Sequence, residues 1–239
     1  MNKIFICILL SFSTINLSSQ EIIEEKKAIS ATLDLEVYNN YYWRGDYFYA
    51  DGVPAFQPYL TLSSNYVPIV FGLWYSTPLN KREEMSLVKD ELEIVLSSEI
   101  DITDSFKITP GILAYLGTWA QDYKNTEELY LILHYTFGSG FGMATSFYFD
   151  VDAYKGVYFN LGPTHLLKFN DNLELKTAII LGFSKYKETS FSFIEAGVVS
   201  RMYYYLADEL SLIPSILYNY NPDTGRNCYA LSIGLGISL

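Results

Sequence analysis

From residue 31 onward the chain alternates apolar and polar side chains with a period of two, in runs of about ten to fourteen residues. Phe141, Met143, Thr145, Phe147, Phe149 and Val151 oppose Gly142, Ala144, Ser146, Tyr148, Asp150 and Asp152. The last run sets Tyr229, Leu231, Ile233, Leu235, Ile237 and Leu239 against Ala230, Ser232, Gly234, Gly236 and Ser238. Leu92, Ile94, Leu96, Ile100 and Ile102 oppose Glu91, Glu93, Ser97, Glu99 and Asp101, and a fourth run spans Glu128 to Phe137. Successive strand side chains point to opposite faces, so each run has one greasy and one wet face.

Soluble sandwiches alternate too, and run length separates the two cases. An ordinary strand has roughly five to six residues, whereas a tilted strand crossing a bilayer needs about nine to eleven. Several apolar faces end in aromatics, such as Tyr41 and Trp43, or Tyr218 and Tyr220, as interfacial girdles require. Aromatics reach 17% of the chain, with 22 tyrosines. Connections also alternate in length. Short turns fall near Ser64-Asn65, Thr103 to Ser105, Gly138 to Gly140, Asn170 to Asn172 and Ala207 to Glu209. Longer loops lie between them at Gly45 to Val53, Thr77 to Lys89, Thr118 to Asn125, Val151 to Lys155, Lys185 to Ser190 and Asn221 to Arg226. Short periplasmic turns with longer outer loops are the pattern of bacterial outer-membrane barrels.

These features predict an all-β fold: a closed antiparallel transmembrane β-barrel of about twelve strands over 31–239, both termini periplasmic. Hydrocarbon cannot hydrogen-bond an open sheet edge, so the first strand, near Ala31 to Arg44, must pair with the last, Asn227 to Leu239. Pro58, Pro110, Pro163 and Pro214 each remove a ladder donor, and bulges or bends are expected at Pro110 and Pro163.

Residues 1–20 read as a cleaved secretory signal, with Lys3 before an apolar core from Ile4 to Leu17 and small residues at Ser18 and Ser19. Residues 21–30 form a short acidic periplasmic leader. Removing the signal takes away Lys3 and no acid, so the net charge moves from −11 to −12. That acidity argues against a nucleic-acid partner. Cys228 is the only cysteine left, so no internal disulfide forms. After residue 20 no apolar run reaches about eighteen residues, which excludes helical spans. The expected partners are outer-membrane lipid and, during insertion, the barrel-assembly machinery.

The segment Tyr41-Tyr42-Trp43-Arg44-Gly45, then Gly52-Val53-Pro54-Ala55-Phe56-Gln57-Pro58, then Gly72-Leu73-Trp74-Tyr75-Ser76 resembles the first two hairpins of the TorF-like porins. That family carries an aromatic-Arg-Gly, a Pro-Ala-x-Gln and a Gly-x-Trp-x-Ser in this order. Here Phe56 and Pro58 flank Gln57, and Tyr75 stands where the family has a small residue, as a sister family would. The resemblance implies a barrel and a pore and carries no substrate with it.

If the apolar face meets lipid, the lumen receives Asp34, Glu36, Glu91, Glu93, Glu99, Asp101, Glu128, Asp150, Asp152, Glu174 and Glu195. The matching bases are Arg44, Lys107, Lys168, Lys176 and Arg201. Such an acid excess favours cations in a water-filled pore, with small polar or cationic solutes as cargo. Equally, these charges could pair into a solvated network inside a narrow barrel. Tyr38, Tyr42, Tyr59, Tyr115, Tyr130, Tyr148, Tyr158 and Tyr203 also point inward, either to stack on sugars or nucleosides or to fill volume. A porin or channel ranks first, a non-conducting structural or binding barrel second, and an outer-membrane hydrolase third. A hydrolase would need an activated serine or threonine, and His134, sharing a face with Thr136 and Glu128, is better read as a hydrogen-bonded lumen histidine. Glu91 with Glu93 shows nothing beyond ordinary lumen charge. No catalytic residue, cofactor or metal-ligand spacing is expected.

Overall fold

The computed structural model describes residues 29–49, 52–64, 66–80, 90–117, 125–185 and 190–239. The expected signal and most of the acidic leader lie outside these. Among the described residues fifteen strands form: β1 (Ile29–Tyr38), β2 (Tyr42–Trp43), β3 (Asp46–Tyr47), β4 (Ala55–Ser64), β5 (Ile69–Pro78), β6 (Glu91–Ser98), β7 (Ile100–Thr103), β8 (Phe106–Gly117), β9 (Thr126–Gly138), β10 (Phe141–Asp150), β11 (Val157–Asn170), β12 (Leu173–Lys185), β13 (Ser192–Ala207), β14 (Leu210–Asn221) and β15 (Arg226–Ser238). β7 prolongs β6 across a break at Glu99, and β2 with β3 forms a separate small hairpin. The wall therefore has twelve antiparallel strands, each paired with its neighbours in sequence. It closes where β1 meets β15, with Leu33 opposite Ile237 and Leu35 opposite Leu235.

Closure leaves the two predicted faces on opposite sides of the wall. Leu231, Ile233 and Leu235 are exposed on the outside, whereas Gly234 and Gly236 are buried toward the lumen. Outer aromatics gather in two belts. Near the loop end Phe147, Phe159 and Phe183 stack across three neighbouring strands at 5.2 and 5.6 Å between centroids, and Phe193 follows at 4.9 Å. Near the turn end Phe141 stacks on His165 at 4.0 Å, and Phe106, Tyr135 and Phe137 cluster beside them. From Phe159 to Phe169 on β11 is ten residues of tilted strand, roughly 25 Å along the barrel axis, which matches an apolar membrane band.

The prolines share one solution. Pro58 pairs with Leu35, but the rungs toward β5 are missing at 57 and 58 and resume at Tyr59↔Trp74 in the same register. Pro163 pairs with Met143 and interrupts the β12 side between Leu161 and Thr164. Pro214 pairs with Ile233 and interrupts the β13 side between Arg201 and Tyr204, and Pro110 faces the break between β6 and β7. Each proline thus presents its missing N–H to one neighbour, costing rungs there. Of the bulges or bends expected at Pro110 and Pro163, no register shift forms at either, and the ladder is interrupted in register instead. Register shifts fall elsewhere, at Phe141/Gly142, Lys168/Asn170, Gly182/Phe183, Tyr205/Ala207 and Asp101/Thr103.

The first connection departs most from the expectation. β1 ends at Tyr38, not near Arg44, and the chain turns into the barrel instead of projecting outward. Tyr41 and Trp43 are therefore not girdle residues: they are 5% and 2% exposed and pack with Tyr49, Val53, Trp74, Val95, Leu113 and Tyr115 inside the lumen. β15 runs on past the end of β1, leaving edge groups that the infolded segment takes up. Asn39 exchanges hydrogen bonds with Leu231, Asn40 Nδ2 donates to the Tyr229 carbonyl at 3.1 Å, and the Tyr229 N–H donates to the Tyr47 hydroxyl at 3.0 Å.

Candidate functional site: the lumen

Inward-facing charges sort into two tiers. The turn-end tier holds Asp34, Glu36, Glu99, Asp101, Lys107, Lys168, Glu174, Lys176 and Arg201. Nearly all of it is paired. Lys107 lies 3.3 Å from Glu99 and 3.7 Å from Asp101, and Lys168 lies 2.8 Å from Glu174. Arg201 pairs with Glu36, Asp34 lies near both Arg201 and Lys176, and Lys176 sits 4.5 Å above the Tyr203 ring. Asp101 is at the rim, its side chain 73% exposed.

The loop-end tier is different. Glu91, Glu93, Glu128, Asp150 and Glu195 are all buried, and Arg44 is the only buried basic side chain among the described residues. Asp150 is committed to the loop that follows it: one oxygen accepts the N–H groups of Asp152, Tyr154 and Lys155, the other the Thr126 hydroxyl. Asp152, expected in the lumen, is exposed in that loop, because the strand ends at Asp150 and the alternation stops with it. Tyrosines supply donors to three of the other carboxylates, Tyr41 to Glu91, Tyr115 to Glu128, and both Tyr42 and Tyr158 to Glu195. Burial, reinforced by the adjacent Glu195 carboxylate, holds the Tyr42 phenol well above its ordinary range.

Arg44 projects from the infolded hairpin rather than from a wall strand. Its two terminal nitrogens hold both Glu128 oxygens at 2.9 and 2.7 Å. Its Cζ lies 4.5 Å from the centre of the Tyr158 ring, 4.8 Å from Tyr148 and 5.4 Å from Trp43. Arg44 has φ +34, in the left-handed region that disfavours a side chain, and Gly45 follows at φ +96. A methyl group on Gly45 would collide with the Ile194 carbonyl and crowd Asn221, whose amide donates to the Gly45 carbonyl at 2.8 Å, so only glycine fits.

His134 does face the lumen, but its Nε2 lies 3.3 Å from Thr164 Oγ1 on β11, two strands away, not against Thr136. Among the described residues no carboxylate is hydrogen-bonded to His134, so its pair with Thr164 lacks the third group that would orient a base. Among the described residues no three acidic, histidine or cysteine side chains converge as a metal site.

No protein-family model and no curated protein matches the chain. Among solved structures it is similar to the KdgM porin, at 13% identity over 87% of this chain and 99% of that one, with a TM-score of 0.58. It is similar to the NanC porin at 12% identity, covering 87% and 100% of the two chains, with a TM-score of 0.60. A structure described as the KdgM porin with disordered oligogalacturonate matches at 15% identity, covering 88% and 99%, with a TM-score of 0.56. At these identities the likeness is one of fold, and the fold is a closed barrel of the outer-membrane porin type.

Proposed function

We propose that the protein is an outer-membrane channel with a preference for small polar cations, its selectivity set by the loop-end carboxylates. The observation that carries this reading is the charge asymmetry of that tier: five buried carboxylates around one buried arginine. The turn-end tier is close to self-compensated by its ion pairs and adds little net field. A carboxylated sugar chain of the kind named for the KdgM complex would meet the acidic tier head on, so that cargo does not suit this lumen.

Reversal potentials of the refolded barrel across a potassium chloride gradient test the reading. Cation preference is expected, weakening at high salt as the Debye length falls to about 3 Å at 1 M. Combined Glu91→Gln and Glu93→Gln, both in the loop-end tier, should lower the selectivity without changing the β spectrum. Anion preference would overturn the charge assignment. One observation favours the second reading, a non-conducting structural or binding barrel: Tyr41, Trp43, Tyr49 and Val53 of the hairpin segment pack inside the loop-end lumen. Absence of any conductance would make that reading the better one.

A further inference from the structure

Besides Trp43 of its own hairpin, the side chains that hold Arg44 belong to the wall, and three adjacent strands supply one each: Glu128 from β9, Tyr148 from β10 and Tyr158 from β11, with Tyr115 of β8 behind Glu128. The guanidinium they grip comes from a separate element, the hairpin, and contributes no strand to that part of the wall. A carboxylate presented edge-on for two parallel N–H···O bonds, between aromatic faces, is the arrangement that selects a planar guanidinium over an ammonium. Tyr115 fixes the carboxylate by donating to Glu128 Oε2 at 2.9 Å. The next lumen position beyond Tyr158 on β11 is Asn160, 5% exposed, whose amide lies against the Tyr158 hydroxyl. It offers a donor to the acceptor end of a solute. The strained Arg44 backbone further marks the arginine as held in place by the grip rather than by its own local preference.

We propose that this wall pocket is a binding site for solutes carrying a guanidinium group, and that Arg44 occupies it as a tethered competitor. A free guanidinium displaces the Arg44 side chain, takes its two bonds to Glu128 and stacks against Tyr148 and Tyr158. The inference deepens the channel reading by naming the cation class, and rests on that reading for its use in transport. A group tethered by a short loop competes at an effective concentration on the order of millimolar. The native arginine should therefore mask the pocket from weak ligands.

The test is calorimetric titration of the full-length barrel, refolded in detergent, with arginine amide, and with citrulline amide as the neutral isostere. Arg44→Gln removes the competitor while keeping most of its volume. It should bind arginine amide at least tenfold more tightly than the unaltered protein and bind citrulline amide negligibly. Arg44→Lys keeps a positive charge but loses the planar fork, so it should fall between the two, and it serves as the test if Arg44→Gln does not refold. A folded variant that binds neither amide, or both equally, overturns the proposal. Binding without conductance would uphold the pocket and sink the channel reading. Conductance without binding would do the reverse.

Discussion

Ile233 sits at the middle of β15, 58% exposed, between Val37 on one neighbouring strand and Pro214 on the other. If the outer face meets hydrocarbon, an arginine there is carried near the bilayer midplane, a cost of about 2–4 kcal/mol. Ile233→Arg loses little packing, because the isoleucine already points outward, so that cost stands nearly alone. At about 3 kcal/mol the ratio of folded to unfolded protein falls more than a hundredfold. Ser232, one residue away, faces the lumen, where its hydroxyl meets Ser215 and donates to Glu36 at 3.2 Å. Ser232→Arg forfeits a neutral hydrogen bond to Ser215, about 1 kcal/mol, and a charge-assisted one to Glu36, about 1.5–3 kcal/mol, but gains Glu36 and nearby Asp34 as partners for the new charge. The expected order is thus a large loss at 233 and a small one at 232. Urea titration in phospholipid vesicles, followed by tryptophan emission, gives both values. If Ser232→Arg proves the more damaging, the inside and outside of the wall have been exchanged and the register is wrong by one residue.

Two further perturbations probe the hairpin. Glu128→Gln strands the buried guanidinium, a loss of about 3–5 kcal/mol, and should speed hydrogen exchange of the amides from Trp43 to Tyr49 a hundredfold or more. The barrel's circular dichroism should stay unchanged, and unaltered exchange would show that the pair does not anchor the segment. Gly45→Ala places a methyl group against the Ile194 carbonyl at a positive φ and should cost about 1–3 kcal/mol of the same local stability, read by the same exchange experiment.

The wall was legible in the sequence because lipid on one side and water on the other force a strict period of two, and a one-residue slip would bury charge in hydrocarbon. Strand number, closure and the inward tyrosines follow from that rule. The infolded hairpin escaped it. Tyr41, Tyr42 and Trp43 are three consecutive aromatics after Asn39 and Asn40, and this interruption of the alternation was the available signal that β1 had ended. Aromatics at a strand terminus serve equally well as a membrane belt or as lumen filling, and only the path of the backbone decides between them. The pairing of Arg201 with Glu36 was likewise out of reach, since the two lie on strands separated by more than a hundred residues. Asp152 was misplaced by extending a strand two residues beyond its end.

The hydrogen bonds that tie Asn39, Asn40 and Tyr47 to β15 give the hairpin a second role, as the upper part of the seam where the first and last strands of the barrel join. Above Tyr38 no residue of β1 pairs with β15, so the hairpin is what satisfies the backbone of Tyr229 and Leu231 on that edge. Withdrawing it from the lumen would strip those groups at the same moment. Clearing the conduit and loosening the ring are therefore a single mechanical event at this rim. A motion small enough to keep the seam closed must be confined to side chains such as Arg44, with the backbone from Asn39 to Tyr47 left where it is.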